Sequence, residues 1–303
     1  MILKRVFVGL GEVLWDLLPE GRRLGGAPAN FAYACAALGG EGVVASRVGD
    51  DEDGRKILAE LRGIGLSTHH VQIDPDHPTG TVPVALDAAG QPTFTIIENV
   101  AYDYMAMTEA LAELAERADC ICFGSLAQRR PESRNTIRQV LERAAGALRV
   151  YDVNLRQHFY SEEILRTGVS SANVLKLNDD ELTPVCERVG INAGSMDEQA
   201  KRLIGQHDLK LVAVTMGADG CCLYSPTDKV RSAGYQVEVR DTVGSGDAFA
   251  ASLATDLLVG TPLDEVADRA NLVGAYVATQ SGATTPITEA RLKQLTEQGR
   301  RRM

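Results

Sequence analysis

The strongest constraint on the fold of this chain is a rhythm. From residue 108 onward, short apolar runs at 120–123, 150–153, 174–177 and 211–215 alternate with amphipathic stretches at 109–117, 132–145, 179–189 and 196–206. Apolar runs of four or five residues suit buried strands, and the stretches between them carry the 3.6-residue period of helices. Parallel strands need a crossover between them, so the alternation predicts a mostly parallel sheet with helices on both faces. The pattern begins earlier, with strands at 6–9 and 43–48 and helices over 29–38 and 53–64, the helices closed by Gly39-Gly40 and Gly65.

Two stretches break the rhythm, 10–24 and about 68–104, where no helix pattern is found. The second holds extended runs at 81–86 and 92–97 joined by Asp87-Ala88-Ala89-Gly90-Gln91, which reads as a β-hairpin. Extended segments inserted into an α/β core predict a small second sheet, a lid over a ligand site. The expectation is one domain over 1–303, with the lid formed by about 10–24 and 68–104 and the core by the remainder. Near the end, Thr261-Pro262-Leu263-Asp264 predicts a helix start with a first-turn proline, running through Asn271 to about Gln280.

Net charge excludes some partners. At −10, with a pI near 5.1, the chain is a poor match for nucleic acid or an anionic membrane surface. The six cysteines include no Cys-x-x-Cys pair, so zinc ligation is not expected, and buried reduced thiols fit a cytoplasmic protein. Lys4-Arg5 precedes an apolar run, but Glu12 and Asp16 interrupt it, and no transmembrane stretch is found.

Residues 241–247 read Asp-Thr-Val-Gly-Ser-Gly-Asp, followed by the small apolar run Ala248-Phe249-Ala250-Ala251-Ser252-Leu253. A loop of small residues opening a helix presents free N–H groups at the positive end of the helix dipole, which together form an anion cradle. Asp247 adds a carboxylate able to take a proton from an incoming hydroxyl. Cradle and base together equip a chain to move a phosphoryl group onto an alcohol. A flexible turn capped by Asp247 is the alternative reading.

Other polar positions fall where open α/β sheets bind ligands, at strand C-termini. Gly25-Gly26-Ala27-Pro28-Ala29-Asn30 opens the first helix; it offers close backbone approach and a carboxamide, or only a tight turn. Asp16 lies just upstream, and a carboxylate accepts from two hydroxyls together, as a polyol presents them. Asp152-Val153-Asn154-Leu155-Arg156 follows a strand, with Arg156 either a phosphate clamp or half of a surface ion pair. Lys176-Leu177-Asn178-Asp179-Asp180-Glu181 and Thr215-Met216-Gly217-Ala218-Asp219-Gly220 repeat the arrangement on the next two strands. Asn178 and Glu181 are placed to face a nucleotide and to orient water on Mg²⁺. Gly9-Leu10-Gly11 lacks the third glycine of a dinucleotide fingerprint, since Leu14 stands there, and no P-loop motif occurs.

With those residues assembled, the chain resembles the ribokinase-like (phosphofructokinase-B) family of sugar and nucleoside kinases over essentially its whole length. Gly25-Gly26…Asn30 is similar to the family's N-terminal signature and Asp241–Asp247 to its C-terminal one, with Gly-Ser-Gly-Asp in place of the usual Gly-Ala-Gly-Asp. The resemblance implies a three-layer α/β/α core with a mostly parallel sheet and a small β-sheet lid. It implies that Asp247 is the catalytic base and that the N–H groups of Gly244, Ser245, Gly246 and Asp247 form the anion hole. Asp16, Gly25, Gly26, Asn30, Tyr102 and Arg156 would bind the sugar. Asn178, Thr215, Gly217, Gly220 and Asn271 would line the nucleotide pocket, and Glu181 would hold Mg²⁺ through water. Backbone atoms of Asp241 and Val243 sit where many members hold a monovalent cation such as K⁺.

Within the family the likeness is nearest to bacterial fructokinases, carried by Gly11-Glu12-Val13-Leu14-Trp15-Asp16, Glu98-Asn99-Val100-Ala101-Tyr102-Asp103, Phe123-Gly124-Ser125-Leu126 and Asp152…Asn154-Leu155-Arg156. The implied reaction is ATP-dependent phosphorylation of D-fructose to fructose 6-phosphate. Kinases for ribose, 2-keto-3-deoxygluconate and nucleosides share several of these features, and a non-catalytic sugar-binding module is a reading of another class. The resemblance also implies a homodimer formed through the lid.

Overall fold

The computed structural model describes residues 4–298 except 20, 87–91 and 193. The first third of the chain forms β1 (Val6–Leu10), β2 (Leu14–Leu18), β3 (Gly21–Gly25), α1 (Ala27–Ala37), β4 (Glu41–Gly49), α2 (Glu52–Gly63), β5 (Val71–Asp74), β6 (Gly80–Leu86) and β7 (Pro92–Phe94). The regular alternation follows with α3 (Glu109–Arg117), β8 (Cys120–Phe123), α4 (Pro131–Arg143), β9 (Leu148–Asp152), α5 (Glu162–Ser171), β10 (Val174–Asn178) and α6 (Asp179–Val189). Then come α7 (Met196–His207), β11 (Leu211–Thr215), β12 (Cys221–Tyr224), β13 (Lys229–Ser232), α8 (Ser245–Val259), α9 (Leu263–Ala278) and α10 (Glu289–Gln298).

Nine strands form one sheet in the order β13-β12-β11-β10-β9-β8-β1-β4-β5. The pairings from β11 through β5 are parallel, as the crossover helices require, and β12 and β13 close one edge antiparallel. Strand periodicity then assigns side chains to faces. In β8, Ile121 and Phe123 join the apolar layer under α3–α7, while Cys120 and Cys122 join the layer under α1, α8 and α9. The same alternation in β9 and β10 sends Tyr151 and Leu175 one way and Val150 and Val174 the other. Residues two positions on from Val150 and Val174 therefore face α8, and those residues are Asp152 and Lys176.

A helix hydrophobic on all sides belongs inside a protein. α8 obeys this: Asp247 through Ala254 are all buried. Its alanines let α1 and α9 pack closely on either flank, so the N-terminus of α8 is held firmly where the sheet's strands end.

The small sheet has the order β3-β2-β6-β7. β6 and β7 pair antiparallel as the expected hairpin, while the turn assigned to 87–91 lies outside the described residues. The expected lid range needs one correction. β5 pairs parallel with β4 and extends the main sheet, because its register with Ser46–Gly49 satisfies that edge. Two helix starts also shift. α1 begins at Ala27, with Gly26 as N-cap and a proline in its first turn. In α9, Pro262 occupies the N-cap rather than the first turn, and the helix ends at Ala278.

Candidate active site

Small sheet and main sheet enclose a cavity of about 580 Å³ at the C-terminal ends of the parallel strands. Both signature loops reach it. Gly25, Gly26 and Asn30 line one wall, and Thr242, Val243, Gly244, Gly246 and Asp247 the other. Asp16 and Arg156 line it as well. A larger, more open hollow beside Gln236–Arg240 holds no unpartnered buried polar atom among the described residues.

Local backbone chemistry builds the two walls. Gly244 is the N-cap of α8 at φ 78°, and a Cβ there would lie 2.2 Å from the Ala283 Cβ, so only glycine fits. Gly26 is the N-cap of α1 at φ 114°, where a Cβ would strike the Glu12 carbonyl oxygen at 2.4 Å. In the first turn of α8, the Ser245 N–H donates to the Thr242 carbonyl at 3.2 Å, and the Ser245 hydroxyl donates to the Gly274 carbonyl at 3.0 Å. The N–H groups of Gly244, Gly246 and Asp247 donate to no protein acceptor among the described residues, so they are the unsatisfied donors of a helix N-terminus.

Asn30 and Asp247, 217 residues apart in sequence, meet inside this cavity. The Asn30 Nδ2 donates to Asp247 Oδ2 at 2.8 Å, and the Asn30 Oδ1 is buried without a partner. Burial, with the nearby Asp152 carboxylate, pushes the Asp247 carboxyl up to about 6 against the Asn30 hydrogen bond, Lys176 and Arg156, which pull the other way. Glu12 is pushed to about 7, chiefly by burial, and its Oε2 has no partner. Asp16 rises to about 6 through burial, opposed by Arg156 and Arg23.

Asp241 anchors the loop. Its Oδ1 accepts the Val243 N–H at 3.0 Å, and its Oδ2 accepts the Gly282 N–H at 3.1 Å and an Arg23 guanidinium N–H at 3.0 Å. The carbonyl oxygens of Asp241 and Val243 accept no hydrogen bond among the described residues, which fits a cation held by backbone atoms.

The expected nucleotide-side residues line the C-terminal rim, outside this cavity. Asn178 and Thr215 are register partners at the ends of β10 and β11. Gly217 and Gly220, both at positive φ, flank the tight turn into β12. Asn178 caps α6 by accepting the Glu181 N–H at 2.8 Å, and Glu181 returns the bond at 3.0 Å with Oε2. Its Oε1 accepts the Leu155 N–H at 2.8 Å, so both oxygens serve the backbone. No cluster of three His, Cys, Asp or Glu side chains able to hold a metal is found among the described residues. Asn271 is buried, and its Nδ2 donates to the Ser232 carbonyl at 3.1 Å, tying α9 to β13.

Tyr102 does not line the cavity. Its ring lies in the core, with the Arg129 guanidinium 5.1 Å from its centroid and Gly80 packed against it. The resemblance implies a sugar contact for Tyr102; the buried Asp103–Arg129 ion pair instead holds this turn inward.

The sequence reading gave no site role to Glu12, Asp152 and Asn154, which line the cavity, or to Lys176, which lies behind its wall beside Asp152. Lys176 binds both Asp152 oxygens, at 2.9 and 3.1 Å, and both side chains are buried. A signal was present, because opposite charges stand at the same depth in two neighbouring apolar strands. Asn154, in the Asp152–Arg156 stretch, stands at φ 45° with its Nδ2 buried and unpartnered, a strained position.

Comparison with known proteins adds three findings. The model of the pfkB family of carbohydrate kinases matches residues 20–290. Fructokinase-1 of Oryza sativa subsp. japonica is 33% identical over 96% of this chain and 97% of its own, and a sugar kinase of Pyrococcus horikoshii is 32% identical over 95% of each. A structure of a double mutant of Vibrio cholerae O395 fructokinase, described with fructose, ADP and potassium ion bound, superposes with a TM-score of 0.81 at 28% identity, covering 97% of this chain and 98% of that one.

Proposed function

The chain belongs to the pfkB family of carbohydrate kinases, and from that membership we propose that it transfers the γ-phosphoryl group of ATP to D-fructose, giving fructose 6-phosphate and ADP. The observation that carries the mechanism is the 2.8 Å bond between Asn30 and Asp247 at the mouth of α8. It joins a sugar-side loop to a base and leaves the other Asp247 oxygen for a substrate hydroxyl.

The sugar lies in the cavity between Asp16, Gly26 and Asn30, with its 6-hydroxyl against Asp247. The hydroxyl oxygen attacks the γ-phosphorus as Asp247 takes its proton, and the bond to the ADP oxygen breaks. Negative charge on the moving phosphoryl group meets the unsatisfied N–H groups of Gly244, Gly246 and Asp247 and the Arg156 guanidinium. The Ser245 N–H joins them only if its bond to Thr242 opens. The nucleotide lies along the rim formed by Asn178, Thr215, Gly217 and Gly220, with Asn271 behind it.

Mg²⁺, when bound, would neutralise charge on the transferring phosphates. It would be held through phosphate and water, and the Asn178–Glu181 turn would orient that water. A potassium ion at the Asp241 and Val243 carbonyls would add positive charge behind the cradle. The described chain contains no helix long and apolar enough to cross a membrane. Pairing of two chains through the small sheet accords with Phe94 and Ile97 standing exposed near its edge.

A coupled ADP-release assay over a sugar and nucleoside panel tests the substrate. D-fructose is expected to give the highest kcat/KM; a higher value for ribose, 2-keto-3-deoxygluconate or a nucleoside would replace it.

A further inference from the structure

We propose that Asp152 and Lys176 are a positioning pair for Asp247, and that glycine at 246 leaves the Lys176 ammonium room to sit close beneath the first turn of α8. This rests on Asp247 being the base.

Three observations converge. Asp152 and Lys176 are register partners on β9 and β10, and strand alternation turns both toward α8. The ammonium grips both carboxylate oxygens in a buried site. A Cβ built on Gly246 would lie 3.0 Å from the Lys176 Nζ. Gly246 has no positive φ, unlike Gly244, so its backbone conformation does not call for glycine. A Cβ there would press on the ammonium and move it by a few tenths of an ångström.

A fixed cation thus lies beneath the first turn of α8, on the protein side of the anion cradle. Burial alone would push the Lys176 ammonium down, and Asp152, with Asp247 and Glu181, more than offsets this, so it stays charged. The pair acts on Asp247 in opposite senses, Asp152 favouring its protonated form and Lys176 its ionised form. The other groups facing Asp247 are Glu12 from the β1–β2 loop, Asn30 from α1, Cys122 from β8 and Arg156 after β9. Asn30 is uncharged, and burial pushes the Cys122 thiol up and keeps it neutral.

The test compares Asp152→Asn, Lys176→Met, Gly246→Ala and the charge-neutral double variant D152N/K176M. Two readouts are used: the pH profile of kcat/KM for sugar phosphorylation, and carboxyl ¹³C NMR titration of Asp247 in the unliganded protein. D152N should move the acid limb and the Asp247 titration down by about half a pH unit or more. K176M and G246A should move both up, and the double variant, which buries no lone charge, should lie between. A pair with only a structural role would lower melting temperature and leave both readouts in place, which would overturn the proposal. Since the NMR titration needs no turnover, a D152N shift in a protein that phosphorylates no sugar would uphold the pair and reject the sugar-kinase reaction.

Discussion

The role proposed for Asp247 as base depends on its burial. With its carboxyl near 6, Asp247 is ionised above that pH and protonated below it. Turnover should therefore fall as pH drops through about 6, with a unit slope in log kcat/KM. A flat profile down to pH 5 would contradict the assignment. The same burial has a stability cost of opposite sign. A carboxyl whose proton affinity is raised by folding favours the folded state below its unfolded value and loses that advantage as pH rises through its folded value. Glu12, near 7 when folded, is the strongest case, and Glu12→Gln should stabilise the protein at pH 8 by up to about 3 kcal/mol while changing little at pH 4. Thermal melts at the two pH values measure this. Equal effects at both would show that the Glu12 charge is not the cause. At this scale the sequence was legible where a motif concentrates function, as at Asn30 and Asp247. It was silent where burial creates function, because Glu12 and Lys176 look like ordinary charged residues until the folded chain removes water from them.

At the scale of elements, the free backbone N–H groups of the site lie at the N-terminus of α8, and conformation and space together hold its cap to glycine. Gly244→Ala places a methyl group against Ala283 at a left-handed backbone position, so it should cost about 1–3 kcal/mol and disturb the cradle. Chemical denaturation checks the first, and the turnover number the second. Asn178→Ala removes the cap of α6 and one half of its capping box, with an expected loss of about 1 kcal/mol. It should also raise the KM for ATP, because the turn that holds Glu181 loosens. An unchanged KM would detach this turn from the nucleotide. Most elements of the main sheet were readable, since short apolar runs between amphipathic ones allow few other arrangements. β5 was not, because four residues with one exposed and one half-buried carry too little pattern to reveal which sheet they join. The C-terminal α10 also lacks a strong apolar stripe, and only its packing through Leu292 and Leu295 against the α9 layer defines it.

For the whole molecule, the question is how the small sheet and the core close on a ligand. Two contacts already bridge the cavity: Arg23 on β3 reaches Asp241 in the cradle loop, and the Gln157 side chain donates to the Phe94 carbonyl at 2.6 Å. Arg23 thus links the lid to the loop that anchors the anion cradle. Arg23→Ala should loosen this link, raising the KM for sugar more than it lowers kcat. In hydrogen exchange, sugar with ADP should protect β2, β3 and β6 in the wild-type chain and protect them less in the variant. Equal protection in both would remove Arg23 from the closure. Two stretches without helices pointed to the small second sheet, but the contacts that link it to the core join residues more than 60 positions apart, and no local pattern records them.

The most direct measurement is ³¹P NMR of the products formed from ATP, Mg²⁺ and D-fructose by the wild-type chain and by Asp247→Asn. The wild type should form fructose 6-phosphate, and the variant, folded by circular dichroism, should turn over about 10²–10⁴-fold more slowly. Wild-type turnover by Asp247→Asn, or no sugar phosphate from the unaltered chain, would contradict the account.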